Sequence, residues 1–367
     1  MSINRRKLLK SGLLGCATLG GLSLASCMPK IPLQQTPKMV INGNMVITSE
    51  FGDPFDEITK SQLHETGLTA FKLSLGGSKS TFDECNEILD SLPSIYAANP
   101  KELMHVNSFD DLMIAYNTGR IGIIYSFETA TMLVDDLKNI QHFAKRGVRI
   151  MQPGYNNSNV FGAGVMTKKP PFGLTQLGKD AVEIMQDSDV LVDLSHAHEQ
   201  TAWDVLKVNK RPVGMTHTGC YTVNPHQRNK SDSLLKAIAD QGGVVGIYEM
   251  SYLTPDLKQQ SLDAFMTHIL HAINVCGVEH VGIGSDTPVL GFDTGPENMA
   301  MWNEINAMRK ETGVAAPGEG PPPYVVGLNG PHKMSSIADE LNRRGLSPAS
   351  IDKILGVNFV RLFKESW

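Results

Sequence analysis

The feature that most constrains the fold is a regular alternation of short apolar runs with longer amphipathic stretches. The runs are rich in Val and Ile and are the expected strands: 39–48, 69–75, 121–127, 148–152, 190–194, 213–216, 244–248 and 280–285. Apolar residues recur at three- and four-residue spacing in the expected helices: 133–145, 178–186, 199–207, 234–241 and 262–275. Nearly continuous apolar strands between helices predict a parallel sheet covered by helices. About eight such units in 367 residues favour a closed α/β barrel of the (β/α)8 TIM type over an open sheet.

Composition narrows the class of protein. There are 33 Lys and Arg against 38 Asp and Glu, and the net charge is −5. This balance lacks the basic surplus of a nucleic-acid binder, so no nucleic-acid partner is expected. Hydrophobic residues make up 41% of the chain, enough for a large core. Cys85, Cys220 and Cys276 fit no zinc-finger spacing and are expected to be buried thiols.

Residues 1–27 have the order of an export signal. Arg5 and Arg6 precede an apolar run, 11–26, that is shorter than the roughly 20 residues of a comfortable membrane span. The arginine pair resembles the twin-arginine address. The letters LASC at 24–27 resemble a lipobox, in which Cys27 would carry the lipid; an uncleaved anchor helix is the alternative. We therefore expect an exported, membrane-anchored lipoprotein facing the periplasm or the cell exterior, with a tether over 28–38 and one barrel domain over 39–367.

Chemically capable side chains follow four of the expected strands. They are Glu128, His196, His217 and Asp286. In a barrel, the carboxyl ends of the strands converge on one face. Two imidazoles and a carboxylate suit a zinc-like ion, and Asp286 would shuttle a proton from water to the leaving group. Each residue alone has an ordinary structural explanation, but four in register with strand ends favour a site. His198 would either orient a ligand or begin the next helix.

Several motifs around these residues resemble one family. They are GVRIMQ at 147–152, DLSH at 193–196, THT at 216–218, PHQRN at 225–229, HVGIGSD at 280–286 and ILGVNF at 354–359. Their order and spacing are similar to those of the membrane dipeptidase (renal dipeptidase) family of zinc hydrolases, which have an amidohydrolase-type barrel. The resemblance covers the chain from about residue 39 to its end.

The resemblance implies roles for individual residues. Glu128 would bridge two metals, His196 and His217 would hold the second of them, and Asp286 would be the acid and base near the first. Arg228 would bind the terminal carboxylate of a dipeptide through a charge-assisted pair. Tyr155 stands where some members have a substrate-contacting His and could still donate a hydrogen bond. The resemblance also implies a homodimer.

One departure from the family pattern changes the expected metal content. The HxD pair that supplies two ligands to the first metal corresponds to Asn44 and Val46, which are poor or impossible zinc ligands. We therefore expect one Zn²⁺, held by Glu128, His196 and His217, in a hydrolase that cleaves a dipeptide or a related small amide. Two alternatives stay open. One is altered chemistry on the same scaffold, such as isomerisation or maturation of a peptide-derived metabolite. The other is an inactive binding lipoprotein.

Overall fold

The computed structural model describes residues 39–133, 136–168 and 172–367. The predictions for the export signal, for Cys27 and for the tether lie outside these residues. So does the centre of the proline-rich stretch at 168–173. In the described ranges, no helix combines the length and the apolarity that a bilayer crossing requires.

Eight parallel strands form the centre of the molecule. They are β1 Ile41–Val46, β2 Ala70–Leu75, β3 Ile121–Phe127, β4 Val148–Met151, β5 Leu191–Val192, β6 Gly214–Cys220, β7 Val244–Ile247 and β8 Val281–Ile283. Neighbours pair in chain order from β1 to β5 and from β6 to β8, and β8 pairs with β1. A bridge between Asp193 and Gly214 joins β5 to β6 and closes the ring. The predicted (β/α)8 fold is confirmed.

Three short strands lie beside the barrel strands. Leu103–His105 pairs with β3, Asn229–Lys230 pairs with β6, and Thr287–Pro288 pairs with β1. The predicted barrel strands all exist, but their ends differ from the expected bounds. The expected strand at 190–194 is shortened to Leu191–Val192, and the backbone N–H groups of Ser195 and His196 beyond it donate to side chains, the first of them to Asp193 Oδ1 at 3.1 Å. The expected strand at 213–216 instead runs on to Cys220.

Helices surround the barrel. They are α1 Glu57–Glu65, α2 Phe82–Ala98, α3 Phe109–Thr118, α4 Lys138–Lys145, α5 Gln176–Asp187, α6 Glu199–Val208, α7 Asp232–Asp240, α8 Leu262–Cys276, α9 Pro296–Glu311, α10 Lys333–Arg343, α11 Pro348–Asp352 and α12 Asn358–Ser366. Most begin with a side-chain cap; α2, for example, starts with a reciprocal capping box between Thr81 and Glu84. α11 and α12 are joined through a π-helical turn, Lys353–Val357.

The last helix closes the amino-terminal end of the barrel. Phe359, Leu362 and Phe363 of α12 are fully buried in one cluster with Ile41 and Ala70, which lie at the starts of β1 and β2. Gly43 makes room for this plug, because a Cβ atom there would lie 2.5 Å from the Phe359 ring. With that end filled by apolar side chains, the polar groups of the barrel interior gather at the opposite, carboxyl end.

Candidate metal centre

The four residues expected at strand ends come together at the carboxyl end of the barrel. Glu128 directly follows β3 and His217 lies inside β6. His196 and Asp286 lie on the short segments that follow β5 and β8. Both imidazoles are buried, whereas Glu128 and Asp286 are partly buried. The site therefore faces inward from four separate strands.

Three of these side chains offer ligand atoms to a common point. The Nε2 atoms of His196 and His217 lie 3.0 Å apart. Glu128 Oε1 lies 3.7 Å from Nε2 of His217, and its Oε2 lies 3.8 Å from Nε2 of His196. Ligand atoms around a tetrahedral zinc with bonds of about 2.0–2.1 Å are roughly 3.3 Å apart. The spacing and the donor types therefore fit one such ion, and the residues form a group that could hold a metal.

Hydrogen bonds turn both imidazoles toward that point. His196 Nδ1 donates to the Asn156 side-chain oxygen at 2.8 Å. His217 Nδ1 lies 3.1 Å from Thr216 Oγ1, whose own hydrogen goes to Asp193 at 2.6 Å, so Nδ1 is the donor in this contact. With Nδ1 protonated in each ring, the lone pair is on Nε2. This is the usual way in which a second layer of residues orients metal-binding histidines.

Burial keeps the two imidazoles neutral. The pKa of His196 and of His217 is lowered well below the usual value, first by burial and then by nearby cations, including Arg228 and Lys72. A neutral imidazole is the form that binds a metal. The electrostatic environment therefore agrees with the hydrogen bonding.

The position of His217 depends on a close approach between strands. The pairing of β6 with β7 shifts register between Met215 and Thr218. The Thr216 carbonyl there projects toward β8, and a Cβ atom on Gly284 would lie only 1.8 Å from its oxygen. Gly284 therefore provides the space that this irregularity of β6 needs. His217 is the next residue along the chain.

Asp286 is held in an unusual backbone conformation. Its φ is +60°, in the left-handed region that few non-glycine residues adopt, and its N–H donates to the Asn44 carbonyl at 2.8 Å. Burial, followed by the charge of Glu128, raises the pKa of the Asp286 carboxyl to about 7. A carboxyl with such a pKa can both accept and release a proton near neutral pH.

At the place where the resemblance would put a first metal, the hydrogen bonds of an amide fill the space. The side-chain amide of Asn44 donates to Glu128 Oε1 at 2.9 Å and to Asp286 Oδ1 at 2.8 Å. Its oxygen accepts a hydrogen bond from Lys72 Nζ at 2.8 Å. Asn44 and Val46 share one face of β1 because side chains alternate along a strand. An amide and a lysine therefore occupy the space where two anionic or imidazole ligands would be needed.

Arg228 and Tyr155 border the imidazoles. Arg228 is only 2% exposed. Its Nη1 donates to the Ser195 carbonyl, and its Nη2 lies 3.4 Å from His196 Nε2. The Tyr155 ring stacks on His196 with centroids 4.1 Å apart, and its hydroxyl accepts a hydrogen bond from Arg309 at 3.2 Å. Burial raises the pKa of Tyr155 to about 12, so its hydroxyl stays protonated.

The proline-rich stretch at 315–324 and the residues before it pack beside the site. Asn156 donates through its side-chain nitrogen to the Val314 carbonyl at 2.9 Å, while its oxygen holds His196. His226 bonds to the Pro317 carbonyl at 2.9 Å. A cavity of about 160 Å³ lies at this edge and is lined in part by Thr129, Tyr155 and Val314. Pockets for drug-sized molecules are roughly 300–1,000 Å³, so this space suits a small ligand.

The remaining sequence predictions have separate outcomes. His198 caps α6, where its Nδ1 accepts the Gln200 N–H at 3.1 Å, so it begins the helix. Cys85, Cys220 and Cys276 are buried thiols, as expected. The sequence reasoning missed the roles of Lys72, Asn156 and Arg309. A lysine inside an apolar strand is the one signal that would have indicated the first of them.

Comparisons with known proteins show which family the chain resembles. The family model described as membrane dipeptidase (peptidase family M19) matches residues 59–312. Dipeptidase tcpJ of Claviceps purpurea is 26% identical over 289 residues, 78% of this chain and 60% of that protein. An uncharacterized dipeptidase of Schizosaccharomyces pombe, C965.12, is 32% identical over 204 residues, 54% of this chain and 49% of that protein. The matches thus span less than two thirds of either relative.

A solved structure extends the likeness to the fold. An amidohydrolase from Pseudomonas aeruginosa superposes with a TM-score of 0.78 at 25% sequence identity. The superposition covers 90% of this chain and 96% of that one. The barrel strands, the helix that closes the barrel and the residues of the candidate site all lie within the residues that the structure describes.

Proposed function

Because the chain belongs to the membrane dipeptidase family, we propose that it is a metal-dependent hydrolase that cleaves a dipeptide or a related small amide with a single zinc ion. The observation that carries the proposal is the convergence of Glu128, His196 and His217, whose ligand atoms all lie within 4.8 Å of one another. The strand ends bring these side chains to one face of the barrel, and the hydrogen bonds of the imidazoles orient their ligand atoms toward one another.

The donor set supports zinc over other cations. Two imidazole nitrogens and one carboxylate are a common ligand set of catalytic zinc, which leaves a position for water or substrate. A bound zinc would supply Lewis acidity, polarising the scissile carbonyl and lowering the pKa of water. Glu128, His196 and His217 would hold the ion.

Asp286 would move the proton. Its Oδ1 accepts the Asn44 amide at 2.8 Å, which leaves Oδ2 to take a proton from the attacking water and to pass it to the departing amine. The Asn44 hydrogen bond and the backbone bond to the Asn44 carbonyl fix the carboxyl in place. Its raised pKa supports both halves of this transfer at neutral pH.

Arg228 would bind the free carboxylate of the substrate. Its guanidinium already lies beside His196, packed 5.8 Å from the centre of the Tyr248 ring. A planar guanidinium pairs with a carboxylate through two parallel hydrogen bonds. A carboxylate bound here would bring the adjacent amide close to the imidazoles, which supports a dipeptide as the substrate class.

The sequence supports action outside the cytoplasm. Arg5 and Arg6, the apolar run at 11–26 and Cys27 together form the pattern of an exported lipoprotein. A lipid on Cys27 would tether the barrel to a membrane through residues 28–38. The enzyme would then meet small peptides at the cell surface or in the periplasm.

Elemental analysis combined with a dipeptide hydrolysis screen tests the function. The purified protein should retain about one zinc per chain after dialysis and should hydrolyse at least one member of a panel of L,L- and L,D-dipeptides. His217→Ala should lose both zinc and turnover, whereas His271→Ala, which alters a histidine paired with Asp232 on the helical layer, should keep both. Absence of tightly held zinc would contradict the proposal. Zinc retention without turnover of any dipeptide would instead favour altered chemistry on the same scaffold.

A further inference from the structure

Lys72 is a charged residue in the middle of an apolar barrel strand. It belongs to β2, whose other residues are apolar apart from Ser74, and its side chain is 0% exposed. A buried charge without partners is strongly destabilising, so its surroundings must compensate it. The partners that compensate Lys72 are residues of the candidate metal centre.

Three side chains surround the Lys72 ammonium group. Its Nζ donates to Asn44 Oδ1 at 2.8 Å and lies 3.4 Å from Glu128 Oε1 and 3.7 Å from Asp193 Oδ2. These two carboxylates come from the ends of β3 and β5. The ammonium group thus lies among three oxygen atoms, in the kind of surroundings that a metal ion would have.

Asn44 completes the arrangement. Its amide nitrogen reaches both Glu128 and Asp286, the two carboxylates that face the same space. Since its oxygen accepts from Lys72, the amide cannot turn that oxygen toward a metal without losing all three contacts. Asn44 therefore fixes the ammonium group on one side and the two carboxylates on the other.

The lysine and a ligand of the expected zinc both lie close to the same carboxylate oxygen. Glu128 Oε1 lies 3.4 Å from Lys72 Nζ and 3.7 Å from His217 Nε2. A second divalent ion bound to this carboxylate would have to approach an ammonium group that has no route to solvent. Like charges at such distances repel strongly in a site of low dielectric constant.

We propose that the ammonium group of Lys72 takes the place of a second metal ion. It supplies positive charge beside the carboxylates of Glu128 and Asp193, and it limits the site to one zinc. This inference rests on the proposed function, because it assumes that the histidine half of the site binds metal.

The test separates the charge of Lys72 from its hydrogen bond and from the missing ligands. Zinc affinity and stoichiometry are measured by calorimetric titration and elemental analysis in the unaltered protein and in Lys72→Met, Lys72→Gln, Asn44→His/Val46→Asp and the same pair combined with Lys72→Met. Lys72→Gln keeps a donor for Asn44 but removes the charge. Lys79→Gln, which removes a lysine that lines the neighbouring cavity, is the matched control.

The proposal predicts one zinc in the unaltered protein, even with excess metal. Lys72→Met and Lys72→Gln should both bind zinc about tenfold more tightly, since a repelling charge is gone. The pair Asn44→His/Val46→Asp should still bind one ion, and only its combination with Lys72→Met should bind two. Lys79→Gln should match the unaltered protein.

Other outcomes would overturn either the proposed role of Lys72 or the proposed function. Two ions in the unaltered protein, or in Asn44→His/Val46→Asp with Lys72 present, would overturn the role of Lys72 while leaving the hydrolase intact. Weaker or unchanged zinc binding in folded Lys72→Gln would reduce Lys72 to a structural anchor and also overturn the proposal. No zinc in the unaltered protein would overturn the proposed function itself. Circular dichroism of each variant establishes that it is folded, and the zinc count of the unaltered protein tests the proposal even where a variant does not fold.

Discussion

The Nδ1 atom of His196 and the side-chain oxygen of Asn156 lie 2.8 Å apart. This contact decides which ring nitrogen of His196 carries the hydrogen, and so which one is presented to a metal. Asn156 is buried and lies in the segment after β4, a part of the sequence that supplies none of the three expected metal ligands. The Asn156 amide thus determines which nitrogen of His196 can bind a metal, although Asn156 is not itself an expected metal ligand.

Replacing Asn156 should weaken zinc binding without removing a ligand. In Asn156→Ala the His196 ring loses its donor partner and is free to rotate or to change tautomer. Loss of such a partner typically reduces metal affinity about 10- to 100-fold. Competition titration with a chromophoric chelator measures the change. Asn157→Ala, which alters an exposed neighbour that bonds the Gly313 carbonyl, is the control; equal losses in both variants would argue against the orienting role.

Adding one methyl group to Gly284 should disturb the strand that carries His217. The new Cβ would lie 1.8 Å from the Thr216 oxygen, so β6 or β8 must move. Overpacking of this kind costs about 1–3 kcal/mol of unfolding free energy. Gly284→Ala should therefore be less stable to urea and bind zinc more weakly. Gly52→Ala, at a position with nothing within 4 Å, should change neither; a neutral Gly284→Ala would show that β6 does not need this space.

Truncating Arg228 should mainly affect substrate binding. Loss of a charge-assisted hydrogen bond typically costs about 1.5–3 kcal/mol, or roughly 10- to 100-fold in kcat/KM. In Arg228→Ala this loss should come mainly from a higher KM for dipeptides. Hydrolysis of an amide without a free carboxylate should change little. Arg228→Lys should recover part of the loss, and Arg343→Ala, at an exposed pair with Glu340, should have no effect. A fall confined to kcat would contradict a role in carboxylate binding.

Stability should fall as the pH drops from about 6.5 toward 4, partly through His268. This histidine accepts the Cys220 N–H at 2.9 Å and bonds to the Leu253 carbonyl at 2.8 Å. Burial, partly opposed by the hydrogen bond to Leu253 and assisted by the nearby His271, lowers its pKa to about 4 from the usual 6.5. Between these values the unfolded chain binds the proton and the folded chain does not, so the contribution is complete above pH 6.5 and is lost as the pH falls.

The lowered pKa of His268 corresponds to about 3 kcal/mol across that window. Urea unfolding at several pH values measures it. His268→Asn keeps an acceptor near the Nδ1 position but cannot titrate. The variant should be less stable at pH 8 and should lose less stability than the unaltered protein on acidification. An identical pH slope in both would assign the effect to other groups.

Cys27 should determine membrane attachment. Cys27→Ala should abolish incorporation of labelled fatty acid and release the protein from the membrane fraction, because the lipid anchor cannot form. Cys16→Ala, within the apolar run of the same segment, should leave both unchanged. Membrane retention of Cys27→Ala would support an uncleaved anchor helix instead.

The fold and the grouping of Glu128, His196 and His217 could be predicted, because both leave periodic or positional marks in the chain. Buried parallel strands are apolar on both faces, so each one appears as a short apolar run. Glu128 and His217 could be placed because the active face of a barrel lies at the carboxyl ends of its strands. The departure at Asn44 could be predicted only from the comparison of this segment with the HxD motif of the family that the chain resembles.

Other parts left no such mark. α9 has Asn306 as its buried residue and thus lacks an apolar stripe, so neither the helix nor Arg309 on it could be predicted from periodicity. Asn156 lies in an irregular segment whose path depends on tertiary contacts. Lys72 interrupts an apolar strand, but only the closed barrel shows that Asn44, Glu128 and Asp193 surround it.

Because Lys72 lies beside the carboxylates of Glu128 and Asp193, the charge of the site depends only partly on the supply of metal. A zinc ion at the histidines would obey mass action and would be lost to a chelator or in a metal-poor compartment. The ammonium group of Lys72 is covalently part of the polypeptide and cannot dissociate, so its positive charge stays beside Glu128 whatever the supply of metal. Part of the positive charge at this site therefore belongs to the polypeptide itself, and the rest would have to be acquired with the metal.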